Sequence, residues 1–404
     1  MTDCWDLHRI PEPGVEILTG MLHAVVRDVL GRGDPLATRD VSPEELAGLR
    51  WIDAGCDAER LRTVVGTFGD LLSLPLAVPD IGERPGDLVR EALAAWSNGP
   101  RTITFRSSGT TGGPKACPHE DVLLRQELVG VCPLVHDASA VLATAPAHHM
   151  FGFTFGLLLP VALGVPRRVR APLPTVILAD VAPGDILVAV PFVLNAIADS
   201  LLHAPRPGIG RGATVITATS PIPAATVRTL QDFGFRTIEI YGASETGCVG
   251  WRETPDVPYA LLPHFRSMGD ETLVRDVPGG GLREYPLPDH VARHGERGFV
   301  PLRRRDEAVQ VAGGNVHPGR IAREIEGHEG VERCLVRLMR PEEGLRLKAF
   351  VVPRAGWSAP RLRGELRTFA RERFSPRERP QSYTFGEELP KGPLGKPGDW
   401  DMSD

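Results

Sequence analysis

Lysine is almost missing from this chain. Of 46 lysine and arginine residues, only Lys115, Lys348, Lys391 and Lys396 are lysine. Arginine's planar fork suits flat acceptors, whereas the lysine ammonium is a compact charge on a flexible stem that can follow a moving phosphate or carboxylate. So scarce a residue marks the places where that difference is used. Cysteine is sparse too: Cys4, Cys56, Cys117, Cys132, Cys248 and Cys334 include no Cys-x-x-Cys pair and no histidine spacing of a zinc site. They read as reduced, mostly buried thiols. No apolar run reaches membrane-spanning length, and Met1-Thr2-Asp3-Cys4-Trp5-Asp6 has neither the basic start nor the apolar core of a secretory leader. A cytoplasmic protein with no membrane partner is expected. A net charge of −5 gives no general attraction for nucleic acid, and no basic face with interleaved aromatics is present. Nucleic acid is excluded as a partner on those grounds.

What the chain does have is length and a repeating pattern. At 404 residues it exceeds one ordinary core and fits two domains. Short β-branched runs alternate with helical stretches: Val141-Leu142-Ala143-Thr144, Ile186-Leu187-Val188-Ala189-Val190, Ala213-Thr214-Val215-Ile216-Thr217 and Thr237-Ile238-Glu239-Ile240-Tyr241, with helical spacing from Pro223 to Phe233 between the last two. This is a βαβα order and predicts an α/β fold, with a mostly parallel sheet flanked by helices and ligands at the carboxyl ends of its strands. Residues 251–302 are rich in Pro, Gly and charge and give no helix or strand signal apart from Glu271-Thr272-Leu273-Val274-Arg275. Further on, strands are expected at Cys334-Leu335-Val336 and Lys348-Ala349-Phe350-Val351-Val352. A helix capped by Ser358 is expected to place Leu362, Leu366 and Phe369 on one face. The division is therefore a large α/β domain, 1–303, and a small α+β domain, 304–404.

The most informative segment is Ser107-Ser108-Gly109-Thr110-Thr111-Gly112-Gly113-Pro114-Lys115. Two hydroxyl pairs, three glycines and a lysine supply side-chain donors, a cation and a main chain that an anion can approach without meeting a Cβ. Thr102-Ile103-Thr104-Phe105 reads as a strand entering this loop, and Val122, Leu123 and Leu128 suggest a helix after it. The order differs from the common GxxxxGK[ST] loop, because the lysine follows Gly-Pro and no hydroxyl residue comes next.

The segment resembles the phosphate-binding signature of the adenylate-forming enzymes, which include acyl- and aryl-CoA ligases, peptide-synthetase adenylation domains and luciferases. Further likenesses follow in that family's order. Pro146-Ala147-His148-His149-Met150-Phe151-Gly152 resembles its substrate-side motif, and Tyr241-Gly242-Ala243-Ser244-Glu245-Thr246-Gly247 its adenine and magnesium motif. Arg304-Arg305-Asp306 and Gly313-Gly314-Asn315-Val316-His317-Pro318 resemble the interdomain hinge and the loop beyond it. Pro390-Lys391-Gly392-Pro393-Leu394-Gly395-Lys396 resembles the element carrying the catalytic lysine. Five likenesses in register over about 290 residues make the resemblance specific. The stretch ahead of the phosphate loop is shorter than is usual in that family.

The resemblance implies an ATP-dependent ligase with Mg²⁺ and CoA that passes through an acyl adenylate, and a mobile carboxyl-terminal lid. Ser107, Ser108, Gly109, Thr110, Thr111, Gly112 and Lys115 would hold the β- and γ-phosphates. Glu245, with Thr110, would bind the metal, and Thr246 the α-phosphate. Tyr241 would stack on adenine, with Gly242, Ala243 and Ser244 around the nucleotide. Lys396 would bridge carboxylate and α-phosphate, and rotation about Asp306 would bring Gly313 and Gly314 to the thiol channel. The usual Thr-Gly-Asp for ribose is absent. Asp289, 15 residues before Arg304, is taken with Arg304 for that part, and Asp270 is the alternative. The basic residue often found after Val309 in relatives is Gln310 here.

His149, Phe151, Phe155, Ser220, Ile222, Gly247 and Val249 fall on positions that wall a flat slot in aryl ligases. His149 stands where peptide-synthetase domains place an aspartate for the substrate amine, which disfavours an α-amino acid. The phenylalanine pair reads equally as core packing. Leu287-Pro288-Asp289, Arg305-Asp306-Glu307-Ala308-Val309-Gln310-Val311 and Gly395-Lys396-Pro397-Gly398-Asp399-Trp400 most resemble the compact 4-coumarate–CoA ligases of the photoactive yellow protein activation type. That resemblance implies an aromatic acid as substrate. Other readings keep the adenylate but transfer it to a carrier protein or amine, or activate nitrite for an aromatic amine, or retain nucleotide binding without catalysis.

Overall fold

Apolar residues spaced three and four apart make the first ninety residues helical, in helices Val15–Gly31, Pro43–Gly48, Ala58–Leu72 and Pro85–Ser97. Their starts are fixed by side chains. Ser42 and Glu45 form a reciprocal capping box, and the Asp57 carboxylate accepts from the Glu59 and Arg60 N–H groups. Met21, Leu22, Trp51, Phe68 and Trp96 are buried among these helices and in the large core behind them. The structure is a computed structural model that describes residues 6–31, 41–107, 115–269, 271–305, 308–311, 314–340, 343–344, 346–390 and 398–402.

Strands β1 (Thr102–Ser107) and β2 (Lys115–Glu120) pair as a two-stranded sheet. The main sheet is built from β3 (Ala140–Ala143), β4 (Arg167–Val169), β5 (Asp185–Val188), β6 (Thr214–Thr217), β7 (Arg236–Ala243), β8 (Gly247–Arg252) and β9 (Tyr259–Leu261). Strands β10 (Phe265–Met268), β11 (Thr272–Asp276) and β12 (Leu282–Pro286) form a separate sheet, and β13 (Asp289–His294) and β14 (Gly298–Arg304) complete the main one. Its order is β13-β14-β9-β8-β7-β6-β5-β3-β4. From β4 to β7 neighbouring strands run parallel, and the β7–β8 and β8–β9 pairs are antiparallel. Both faces of the parallel part are covered: Val141, Ile186, Val188, Ile216 and Ile238 face the first core cluster, and Leu142, Leu187 and Val215 face a second, with Leu194 and Ile197. That two-sided burial is why the parallel strands read as continuous apolar runs.

Residues 251–302 correct the expectation of an irregular segment, since they carry β9 to β14 apart from the last two residues of β14. Their strands are short and antiparallel, and β12 alternates exposed with half-buried positions, so hydrophobicity marks neither period. The β11–β12 turn needs its glycines: Gly279, Gly280 and Gly281 all have φ near +90° to +106°.

By internal contacts the chain forms two units. One comprises 1–106, 116–287 and 291–301, and the other 107–115, 288–290 and 302–404. In the second, β15 (Val309–Val311) pairs with β16 (Gly314–Val316), and β17 (Val331–Leu338), β18 (Leu347–Pro353) and β19 (Pro380–Phe385) form a three-stranded sheet with β18 central. Helices Pro318–Glu326 and Ala359–Arg373 contribute Ile321, Ile325, Leu362 and Leu366 to its core, with Phe369 packed against them. Ser358 occupies the N-cap of the second helix but makes no side-chain capping bond. Cys56, Cys117, Cys132, Cys248 and Cys334 are buried thiols. Among the described residues no helix is long and apolar enough to cross a membrane.

Candidate active site

The Ser107–Lys115 segment is entered by β1 and left by β2. Ile103 and Phe105 on β1, and Cys117 and His119 on β2, are buried and anchor the two strands, while Lys115 opens β2 as an exposed residue. Ser108, Gly109, Thr110, Thr111 and Gly112 lie outside the described residues, as do Asp270, Asp306, Gly313, Lys396 and the side chain of Ser107.

The motif around Glu245 is the turn of the β7–β8 hairpin, in which Gly242 pairs with Cys248 and Ala243 with Gly247. Ser244, Glu245 and half-buried Tyr241 surround it, and Thr246 is buried. The Thr246 hydroxyl closes the turn by accepting from the Ala243 N–H at 3.1 Å and donating to the Gly247 carbonyl at 3.2 Å. Both glycines are required. A Cβ at Gly242 would stand 2.2 Å from the Gly247 carbonyl oxygen, and Gly247 has φ +70° with its Cβ position 1.9 Å from Glu127 Oε1. The Tyr241 ring meets Phe299 edge-on at 5.2 Å and Tyr259 at 5.6 Å.

Three residues that the sequence did not single out hold this hairpin. Glu127 accepts from the Cys248 N–H at 3.1 Å and pairs with Arg275 at 3.4 Å, both side chains at 0% exposure. Arg275 also donates to Gln126 at 2.8 Å and to the Leu123 carbonyl. The buried His119 ring places Nε2 2.7 Å from the Ser244 carbonyl. Because that carbonyl can only accept, Nε2 carries the proton. Burial, above all, lowers the His119 pKa, with the nearby Arg275 acting in the same direction and Glu127 opposing. The ring is thus neutral at neutral pH.

The substrate-side motif follows β3. Gly152 packs so closely that a Cβ would lie 2.1 Å from the Pro146 carbonyl oxygen. His149 is exposed, with its ring 4.3 Å from that of His148. Phe151 and Phe155 are buried with ring centroids 5.5 Å apart and share the first core cluster with Val249. Ile222 lies in the second cluster and donates its N–H to Glu239 at 3.0 Å. Ser220 follows β6. Since Thr217 pairs with Glu239, Ser220 and Gly242 both stand three residues past a matched pair on neighbouring parallel strands. The loops after β3, β6 and β7 therefore leave the sheet at one edge, the carboxyl edge. Thr219 in the β6 loop has φ +82°, a strained state for a β-branched residue.

In the other unit Asp289 begins β13 and Arg304 ends β14, and their side chains approach to 3.8 Å. The Arg305 N–H donates to the Pro288 carbonyl at 2.9 Å, tying the same two chain segments. Gly314 opens β16 where a Cβ would stand 1.9 Å from the Arg377 guanidinium. Gln310 pairs across β15–β16 with Asn315 through their side chains.

Among the described residues no group of three or more His, Cys, Asp or Glu could cage a metal. A single carboxylate such as Glu245 suits Mg²⁺, which keeps waters and binds through one or two carboxylates and the substrate's phosphates.

Comparisons with known proteins agree with one another. Residues 82–280 match the family model described as AMP-binding enzyme, and 323–396 match the AMP-binding enzyme C-terminal domain. The chain is 33% identical over 376 residues to a 4-coumarate–CoA ligase of Halorhodospira halophila, covering 90% of this chain and 93% of that one. It is 36% identical over 319 residues to a 4-coumarate–CoA ligase of Rhodobacter capsulatus, covering 77% and 78%. Among solved structures, an o-succinylbenzoate CoA synthetase from Bacillus subtilis aligns with a TM-score of 0.60 at 17% identity, covering 74% of this chain and 68% of that one. That last likeness concerns the fold alone.

Proposed function

Because the chain belongs to the AMP-binding, adenylate-forming enzyme family and is an AMP-forming acid–thiol ligase, we propose that its substrate is an aromatic acid, 4-coumarate or a close analogue, which it joins to CoA. The observation that carries the reading is identity extending over nine-tenths of the chain to a ligase of that name. Phe151 and Phe155, buried after β3 with ring centroids 5.5 Å apart and ring planes tilted by 51°, offer aromatic surface that supports an aromatic acyl group.

A carboxylate resists nucleophiles because its carbonyl shares a full negative charge. In the first step its oxygen attacks the α-phosphorus of ATP and pyrophosphate leaves. Lys115 neutralises the departing phosphates, Ser107, Thr110 and Thr111 donate to them, and Lys396 holds the α-phosphate oxygens. Thr246, which the resemblance assigned to the α-phosphate, spends its hydroxyl on the Gly247 carbonyl and the Ala243 N–H and so shapes the turn instead. Mg²⁺, held by Glu245 and phosphate oxygens, would spread the charge on the triphosphate. Asp289 accepts from the ribose hydroxyls, with Arg304 beside it. In the second step the CoA sulfur attacks the acyl carbon and AMP leaves. The two halves use different faces of the small domain, with Asp306 as hinge and Gly313-Gly314 lining the thiol path.

Incubation with ATP and a panel of aryl acids, with and without CoA, tests this by mass detection of AMP, pyrophosphate and thioester. Thioester from 4-coumarate only when CoA is present is the expected result. No AMP with any aryl acid, or AMP only with nitrite and an aryl amine, overturns it. Lys396→Ala is expected to slow adenylation by about 10²- to 10³-fold, the size of losing one charge-stabilising donor, while ATP binding by calorimetry stays within a few-fold.

A further inference from the structure

Lys348 is one of two scarce lysines, with Lys391, that the reaction above does not use, and of the two that the structure describes, Lys115 and Lys348, it is the enclosed one. It lies on β18 with a side chain at 0% exposure. Its ammonium donates to Glu343 at 2.8 Å and to the Trp400 carbonyl at 2.7 Å, and meets Asp399 at 3.1 Å. A tetrahedral ammonium has three N–H groups to offer, and three acceptors converge on it here. Arginine's planar fork spreads its donors over three nitrogens and cannot serve acceptors that converge on a single one. The Nζ also stands 5.0 Å from the Trp400 ring centroid.

A second cation completes the arrangement. Arg340 donates to Asp399 at 2.7 Å, to Asp401 at 2.9 Å and to the Trp400 carbonyl at 3.1 Å. Trp400 packs edge-on against Phe350 at 5.6 Å, and its buried indole nitrogen has no hydrogen-bond partner. Packing and the two cations hold that residue, not its own donor. Just before it, the Gly398 N–H donates to the Pro390 carbonyl at 2.7 Å, so the residues on either side of 391–397 are joined directly. Lys396 is two residues from that junction and three from Asp399.

We propose that Lys348 is a positioning residue for adenylation: with Arg340, Glu343 and Asp399 it anchors the chain immediately after Lys396, and so sets where the Lys396 ammonium is delivered. The proposal rests on the ligase reading for the role of Lys396. It predicts an effect confined to the half-reaction that uses Lys396. A merely structural lysine would affect both halves alike.

The test uses the full chain with Lys348→Met, Lys348→Arg, and Asp399→Asn as a variant on the solvent side that leaves the buried lysine in place. Pyrophosphate release with ATP and 4-coumarate is compared with thioester formation from synthetic 4-coumaroyl adenylate and CoA. Displacement of a catalytic group by about 1 Å costs on the order of 100-fold, so Lys348→Met is expected to lose about that in the first assay and less than about twofold in the second. Lys348→Arg and Asp399→Asn lose less in the same assay. Equal loss in both assays, or no loss in either, overturns the proposal. A second arm does not depend on the activity. Each variant is treated with a lysine-specific protease, and cleavage after Lys391 is followed by mass. Faster cleavage than in the parent at unchanged cleavage after Lys115 is expected, and an unchanged rate after Lys391 overturns the anchor. If the parent forms no adenylate with any acid, the ligase reading fails in the first arm while the second still decides the anchor.

Discussion

The β7–β8 hairpin and the chain end after Lys396 are both held by ion pairs around a scarce or buried cation, yet the two devices are physically different. Under the hairpin, Glu127 and Arg275 have no exposure at all, and the neighbouring imidazole of His119 is kept neutral by burial. Around Lys348 the cation is buried, but its partner Asp399 is 37% exposed and Asp401 is almost wholly exposed. The first is a sealed network that any single change leaves with an uncompensated charge. The second opens to solvent, where water and salt can substitute for a lost partner.

Removing one member of the sealed pair should give the largest effect. Glu127→Ala strands the Arg275 guanidinium and frees the Cys248 N–H, and is expected to lower unfolding free energy by about 3–5 kcal/mol. Urea unfolding followed by tryptophan fluorescence would show it, and a loss below about 1 kcal/mol would mean that water reaches the pair. Acid attacks the same region next. The buried His264, whose ring nitrogens make no hydrogen bond of ordinary geometry, has its pKa pushed down to about 3 by burial, with Arg275 and Arg297 adding to this. An unfolded histidine takes a proton near pH 6.5 and the folded one does not, so stability is full above that pH and falls as pH drops toward 3. By pH 5 the loss should reach about 2 kcal/mol, at 1.36 kcal/mol per unit. Thermal melts of the parent and His264→Asn between pH 7 and 4 would check it. Parallel curves would show that His264 is not the group responsible.

The contrast also explains what could be read from the chain. The α/β class was legible because β3, β5, β6 and β7 are buried on both faces and appear as unbroken β-branched runs, and the Tyr241–Gly247 turn stood out because close packing there demands glycine at 242 and 247. Glu127, Arg275 and His119 were not legible. Each is a single polar residue whose charge or ring suggests a solvent-facing position, although Leu123, Leu124, Leu128 and Val131 around Glu127 were a signal that its side of the helix is buried. Ile222, grouped with Phe151 and Phe155 by the resemblance to aryl ligases, packs into the second core cluster while they pack into the first. Sequence order reports which strand a residue follows and not which face of the sheet it joins. Apart from β11, whose alternating burial did give a signal, the short strands between 259 and 304 escaped because they run only three to seven residues among Pro, Gly and charged side chains, too brief a span for a period to stand out.

The smallest effect is the one that separates anchoring from stabilising. Burial alone would raise the Asp399 pKa, but the hydrogen bonds from Arg340 and Lys348 outweigh it and hold the carboxyl at about 2. Its folded value lies below the unfolded one near 3.9, so the ionised carboxylate stabilises the fold above about pH 4, and that contribution is lost as pH falls toward 2. With over a third of the side chain exposed, screening limits the gain to on the order of 1 kcal/mol or less. Asp399→Asn is therefore expected to lower the melting temperature slightly at pH 7 and 50 mM salt, and by less in 1 M salt, where the screening length shrinks to about 3 Å. The Glu127→Ala loss should not change with salt, because no ion enters that site. If Asp399→Asn proved as costly as Glu127→Ala and as indifferent to salt, the chain end would be part of a sealed core, and the difference between the two regions would disappear.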